Sequence, residues 1–333
     1  MCRSEANGRW IAIPPTETAR IQAGSVGRVR LASVSVDLDE IPHYHAIHGL
    51  PAPGDLTANL VYDAAIDRLR GLADAGRFPL TLFTIGSDLR REASRDRLRA
   101  AAAEGHEIAN HSLDHRYDLA RLGRDAIRQQ IADGAAAIEA ACGTRPVGFR
   151  APGYTITDEV FSVLEELDVR YDASVFPCPA YWMAKATALG VIALRGRKSR
   201  SVLDSPNVLR APTQPYRVGK PYWRNGSGIL EIPVQVTRGP RLPFIGTSVT
   251  LAGPTRARWL AKACIGEPLV NLELHGIDVL DASDDLEALR PYQPDVRIAT
   301  ERKTEAILAA CDVLRDAGYT FVTMREAAAA FGA

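Results

Sequence analysis

The chain has 333 residues, 46% of them hydrophobic and 24% charged, and its 40 basic and 40 acidic side chains cancel. This length suits one large core or two domains, and the balanced charge excludes a chain organised around a basic field for nucleic acid. Five cysteines, an odd number without CxxC spacing, argue against a disulfide framework or a thiolate zinc site and fit a reducing compartment. The opening MCRSEANGRWIAIPP has no apolar h-region, so no signal peptide is expected. No apolar run is long enough to predict a membrane span, and a cytoplasmic location is the expectation.

Residues 1–28 read as an extension, with one short strand at Trp10–Ile13. RVRLASVSVD (28–37) is a buried-strand candidate, rich in Val and small residues. Leu60, Ala64, Ile66, Leu69 and Leu72 predict a helix over 59–75. A strand at 78–86, a helix at 88–103 and a strand at 106–111 follow. A helix over 121–141 carries Leu122, Ile127, Ile131, Ala135 and Ile138 on one stripe. Next come strand 147–151, a helix capped by Thr157 and strand 169–174. Residues 176–256 break the rhythm with Pro, Gly and Arg, and read as an irregular insertion with a strand near 229–236. Strand 269–275, helix 297–317 and strand 319–323 restore it. Strand–helix alternation predicts a parallel sheet, and about seven units make a closed α/β barrel the natural architecture, with chemistry at the strand C-termini.

The candidate residues all end strands. In SVDLDE, Asp37 and Asp39 alternate along a strand and share a side; the pair also fits a solvated loop acid and a helix cap. In HSLDH, His111 and His115 stand four apart, so a helical turn would aim both imidazoles at one ion; alone, the pair also fits two solvent-facing histidines. His106 reads as a strand-start residue. Together, Asp39, His111 and His115 supply one oxygen and two nitrogen ligands and leave positions open, as a catalytic zinc site requires. Asp37 is then placed to act as base. Arg150, in FRAPGYTIT, can pair with Asp37, and the Gly153–Tyr154 turn offers backbone N–H groups to an oxyanion; the same stretch also fits a structural turn with a surface arginine. His275, in NLELHGID, is a candidate proton donor to a leaving amine, with Asp172 as its orienting partner. A structural histidine and a turn acid are the alternatives.

In this order, Asp-x-Asp, HSLDH, RAPGY, YDAS and LELH resemble the polysaccharide deacetylases of carbohydrate esterase family 4, the NodB homology domain. The likeness spans roughly residues 30–280. FRAPGYTI with YDASVFP further resembles the branch found beside exopolysaccharide and lipid-linked-sugar pathways. The resemblance implies a distorted, TIM-like (β/α)7 barrel over 29–333 and hydrolysis of an N-acyl group on a sugar. It also implies a divalent metal, commonly Zn2+, with Co2+, Ni2+ or Fe2+ as other occupants. By motif it assigns Asp37 as base, Asp39, His111 and His115 as metal ligands, Arg150 as the tether of the base, His275 as acid and Asp172 as the support of that acid. Three departures stand out. Leu38 separates the aspartates, Gly153 precedes Tyr154 after the proline, and Gly276 follows the last histidine. They leave the metal chemistry intact and put chitin or peptidoglycan as substrate in doubt.

Other residues bear on the substrate. Among the histidines after Asp39, one or two of His43, His45 and His48 are expected to line the site from a loop over the barrel mouth. Glu231 and Pro233 read as structural. Arg195, Arg197, Lys198 and Arg200 follow the apolar run YWMAKATALGVIAL; they fit a solvated basic loop, or a phosphate-binding edge with a helix on a bilayer surface. The expected partner is an N-acylated sugar, glycan or lipid-linked sugar, with peripheral membrane contact and no nucleic acid. An allantoinase-like amidase or deformylase acting on a small substrate is the second reading, and a non-catalytic sugar-binding barrel the third.

Overall fold

The computed structural model describes residues 30–333; the 1–28 extension and the short strand expected at Trp10–Ile13 lie outside the described residues. Nine strands form one sheet: β1 (Leu31–Asp37), β2 (Leu80–Thr84), β3 (Glu107–Asn110), β4 (Gly148–Phe149), β5 (Tyr171–Asp172), β6 (Tyr216–Val218), β7 (Asn225–Glu231), β8 (Leu269–His275) and β9 (Thr320–Phe321). Their order is β6-β7-β5-β4-β3-β2-β1-β8, with β9 beside the start of β1. Among the described residues seven strands, β7-β5-β4-β3-β2-β1-β8, form a continuous parallel path, β9 pairs parallel with β1, and β6 pairs antiparallel with β7. The sheet curls into a mixed α/β half-barrel. Its ladder stops between β7 and β8, where Gln235 and Ile245 span the gap: Asn271 N–H donates to Gln235 Oε1 at 3.4 Å and Ile245 bridges Glu273. This break is the distortion in an otherwise barrel-like wall.

Period-two alternation in β1 sorts its side chains. Ala32, Val34 and Val36 join the main apolar cluster with α2 (Ile66–Gly76) and α8 (Thr300–Asp316). Ser33, Ser35 and Asp37 take the other side, where both serine hydroxyls donate to Asn271 Oδ1 at 3.1 and 3.0 Å. The lumen is thus polar but hydrogen-bonded, as burial of such groups requires.

Helices α3 (Glu92–Ala103), α4 (Arg124–Cys142) and α5 (Asp158–Glu166) follow the expected pattern. The Thr157 hydroxyl accepts from Val160 N–H at 3.4 Å, as its capping position predicts. The helix expected from residue 59 opens instead as a wider π-turn at Val61–Ala65. Glu40 accepts both Val61 and Tyr62 N–H groups there, at 2.9 and 3.1 Å. A final helix, α9 (Met324–Ala330), was not expected. Its start is a capping box between Thr323 and Glu326.

Residues 176–256 are not a uniformly irregular insertion. They hold α6 (Pro179–Leu194), the β6–β7 hairpin and the start of α7 (Gly246–Lys262), which kinks at Gly253 before Pro254. Because β7 pairs with β5, part of this stretch belongs to the barrel wall. Its first half, NGSG, lacks the apolar alternation that marks a strand.

One glycine fixes the loop after β3. A Cβ on Gly134 of α4 would stand 2.7 Å from Asn110 Oδ1 and 2.8 Å from the Ser112 carbonyl carbon. Helix and loop can therefore touch only with hydrogen at this position. Gly134→Ala should lower stability by about 1–3 kcal/mol through overpacking. Thermal unfolding followed by circular dichroism reads this as a lower Tm, and an unchanged Tm would refute the contact.

Candidate active site

The site forms at the C-terminal rim of β1, β3, β4 and β8. Register decides its plan. In the β1–β8 ladder Ser35 lies opposite Glu273 and Asp37 opposite His275. Leu38 N–H continues the edge by donating to Phe83 O at 3.0 Å, which carries Asp39 to the same rim. From the next strands come His111, just beyond β3, and Arg150, just beyond β4.

Arg150 is fully buried. Its guanidinium meets Asp37 Oδ1 at 2.5 Å, donates to Ala173 O at 2.9 Å and to Ser35 Oγ at 2.8 Å, and lies over the Phe83 ring at 4.0 Å. Burial opposes its charge, but Asp37 and Glu273 outweigh burial and hold the guanidinium above its ordinary range. Arg150 therefore holds Asp37 by a direct buried contact and is no surface residue.

The three expected ligands converge. His111 Nε2 lies 3.4 Å from Asp39 Oδ1, and His115 Nε2 lies 3.2 Å from Asp39 Oδ2. One donor atom from each residue falls within 4.8 Å of the others. Asp39 Oδ1 and both Nε2 atoms are buried with no hydrogen-bond partner among the described residues, an unfavourable state unless a cation takes their lone pairs. His111 Nδ1 meets the Arg150 carbonyl at 2.7 Å, which puts the proton on Nδ1 and frees Nε2. One carboxylate with two imidazoles is a donor set that suits Zn2+ and related divalent ions. Burial would raise the Asp39 carboxyl, but His115 and His111 outweigh it and hold the group well below the usual range.

HSLDH does not reach this geometry as a helical turn. Ser112 and His115 both have left-handed backbone, φ 69° and 49°, and the segment is an irregular loop. Asn110 braces it: its Oδ1 accepts Ser112 N–H at 3.0 Å and its Nδ2 donates to Ile131 O at 2.9 Å. The two imidazoles come together through a loop and not through the helical turn that the four-residue spacing suggests.

His275 is paired, but not with Asp172. Its Nδ1 lies 3.0 Å from Glu273 Oε1. Burial alone would lower this imidazole, yet Glu273 overrides burial and holds it well above the ordinary range. Asp172 is committed elsewhere: its oxygens accept the Ser174 N–H at 3.0 Å and the Ser174 hydroxyl at 2.8 Å. Its other neighbour is Glu231, whose Oε1 accepts Val175 N–H at 2.9 Å. Burial raises both of these carboxyls, and their mutual repulsion raises Glu231 further. Glu273 was missed at the sequence level, although it shares a strand face with His275 by the alternation that linked Asp37 to Asp39.

The remaining candidates divide. His43 packs against His115, ring centroids 4.4 Å apart, and borders a cavity of about 400 Å³ with Arg200. Burial pushes its imidazole down to about 3. His45 instead bonds the Pro51 carbonyl at 2.5 Å within the turn after α1 (Ile41–His48), and His48 bonds Gln293 at 3.3 Å. His106 accepts Leu80 N–H at 3.1 Å, the strand-start role expected of it. In the Gly153–Tyr154 turn, Tyr154 N–H is spent on Ala151 O at 3.1 Å, so it cannot serve an oxyanion; Gly153 N–H has no such partner among the described residues. A second cavity of about 230 Å³ opens over Asp39 and His275. Tyr44, Tyr117 and Tyr154 line it with buried hydroxyls that lack partners. Tyr181 and Lys185 of α6 form another wall, with Lys185 Nζ donating to Gly153 O at 2.9 Å. No sequence signal singled out Tyr44, Tyr117, Tyr181 or Lys185; the last two reach the mouth on α6 only through the tertiary fold.

Comparison with known proteins follows this geometry in part. Residues 57–171 match the Polysaccharide deacetylase family; the segment contains His111, His115 and Arg150, while Asp37, Asp39 and His275 lie outside it. A chitooligosaccharide deacetylase of Sinorhizobium fredii is 36% identical over 90 residues, covering 26% of this chain and 39% of that protein. The chain thus spans about two-fifths of the length of that curated relative. Among solved structures, a Mycobacterium smegmatis protein described as a polysaccharide deacetylase aligns with TM-score 0.48 and 19% identity over 90% of this chain and 95% of that one. The Xyl-CE4 domain of a multidomain xylanase from the hindgut metagenome of Trinervitermes trinervoides aligns with TM-score 0.48 and 13% identity over 91% and 92%. Residues 57–171, which take in the histidine loop and its arginine, are thus similar to the polysaccharide deacetylase family.

Proposed function

We propose that the chain is a metal-dependent hydrolase that removes an N-acetyl or other N-acyl group from a sugar, free, within a glycan or linked to a lipid. The observation that carries this reading is the set of three buried, unpartnered ligand atoms of Asp39, His111 and His115 beside a carboxylate held by Arg150. A divalent cation bound there, Zn2+ first among the fitting ions, supplies Lewis acidity to the acyl carbonyl and to a water molecule. Asp37 takes a proton from the attacking water, and Arg150 keeps it aimed. Gly153 N–H is the backbone donor for the oxyanion. His275, held protonated by Glu273, gives its proton to the departing sugar amine as the C–N bond breaks. The products are a carboxylate and a free amine.

The cavity over His275 is compact, about 230 Å³, below the range of pockets that enclose larger ligands. This favours a terminal or single sugar unit over a long run of glycan, and it also supports the small-substrate amidase as the second reading. Among the described residues no helix is long and apolar enough to cross a membrane. We place the protein in the cytoplasm or at a membrane periphery.

Chelator-treated protein should lose acyl release and regain it with Zn2+ or Co2+. In a zinc titration against a chromophoric chelator, His111→Ala should weaken binding at least ~100-fold, since a ligand should matter no less than the outer-shell groups around it. Retention of full affinity would remove His111 from the site.

Asp37→Asn should bind zinc normally and release acetate from N-acetylglucosamine oligomers about 10²–10⁴-fold more slowly. An active Asp37→Asn would end the assignment of the base.

The rate should fall as pH rises through the pKa of His275, because the acid form donates. Glu273 holds that pKa up, so Glu273→Gln should move the alkaline limb to lower pH, whereas Asp172→Asn should leave the limb in place. The opposite pattern would restore Asp172 as the partner of His275.

A further inference from the structure

Helix α6 has an unusual solvent face. None of its 16 residues is buried. Its inner side, with Tyr181, Trp182, Lys185 and Ile192, is partly covered by the barrel mouth. Its outer side carries Met183, Val191 and Leu194, exposed 60%, 39% and 89%, with Ala184, Thr187 and Ala188 between them. Lys185 is the helix's single charged residue. A surface helix of a soluble domain places charge opposite its buried stripe, and a continuous exposed apolar face marks an interaction surface.

Four cations follow the helix: Arg195, Arg197, Lys198 and Arg200. Arg197 lies over the Tyr292 ring at 5.4 Å, and Arg200 borders the cavity beside His43 and His115. None of the four has a carboxylate within ion-pair distance among the described residues. From Phe176 to Leu203 the sequence contains no acidic residue. A second copy packed on this face would bring no counter-charge from the same stretch. An anionic lipid surface supplies both halves of the match, acyl chains for the apolar side and phosphates for the cations.

We propose that the outer face of α6 and the cations after it dock the chain on an anionic bilayer. Tyr181 and Lys185 on the inner side of the same helix line the cavity over His275, so docking holds the mouth of the site at the headgroup layer. Resting on the hydrolase reading, this makes an N-acylated sugar carried on a lipid phosphate the substrate class; the docking itself does not depend on that reading.

The test uses the full chain and sucrose-loaded vesicles, either phosphatidylcholine alone or phosphatidylcholine mixed with phosphatidylglycerol. Sedimentation should show binding at least about tenfold tighter to the anionic vesicles, weakening as salt is raised. Met183→Asp with Leu194→Asp, and separately Arg195→Glu with Lys198→Glu, should each reduce that binding by about tenfold or more. Both variants should keep the wild-type Tm, monomer mass and turnover of a water-soluble N-acetyl sugar. Wild-type chain left in the supernatant with both vesicle types, or equal binding to both, would overturn the proposal. So would a wild-type dimer in sedimentation velocity that either pair of substitutions dissociates, which would make the face a contact between copies. Asp37→Asn separates the two claims: it should abolish turnover while vesicle binding persists, so that either can fail without the other.

Discussion

A single buried guanidinium organises the centre of this molecule. Arg150 leaves water entirely, and so does the carboxylate of Asp37 that it holds. Removing two charges from solvent carries a desolvation cost of several kcal/mol per ion, which only dense pairing offsets. Arg150 supplies that density by spending its donors on Asp37 and Ser35 of β1 and the Ala173 carbonyl beyond β5, with Phe83 of β2 beneath its plane. The Arg150 carbonyl also takes the Nδ1 proton of His111, so one residue orients the proposed base and sets the tautomer of a proposed ligand. Loss of either partner would strand a charge in a dry interior, a disruption of about 3–5 kcal/mol in comparable pairs.

Around this pair the barrel interior is a connected polar layer. Ser33 and Ser35 converge on Asn271, and Asp172 and Glu231 sit together beneath the Ser174 and Val175 amides. Such a lumen gives up some apolar burial. The stability that packing supplies comes from the outer layer, where the alternate residues of β1 meet α2 and α8. The division follows from strand geometry: one face of each strand serves the core and the other serves the site.

What the sequence disclosed tracks how local the signal is. Strand β1 and helices α3, α4 and α5 carry their own periodicity, and Thr157 caps where a Thr should. Asp37, Asp39, His111, His115, Arg150 and His275 meet at one rim because all end or follow parallel strands, a rule that needs topology but no coordinates. The failures are tertiary. The bend of the 111–115 loop depends on Asn110 and on Gly134 across the gap, which spacing cannot express. Glu273 was legible from alternation within β8, whereas setting Asp172 aside needs the strand order around β1. β8 neighbours β1 in full register, while β5 lies four strands away. The misreading of 176–256 has a similar origin, since β7 becomes a wall strand by pairing with β5 rather than by any strong alternation of its own.

The pairing of β1 with β8 carries a consequence for how this scaffold diversifies. Asp37 and His275 are ladder neighbours, so their spacing is set by the interstrand repeat of about 4.8 Å rather than by flexible side-chain reach. The two groups proposed to handle protons form a fixed gauge, indifferent to what surrounds the rim. Divergence in molecular recognition can then accumulate in α6, in the turn after α1 and in the tyrosine wall without retuning the gauge, and segments exchanged among relatives at those places would carry preference across while leaving the proposed hydrolytic step alone.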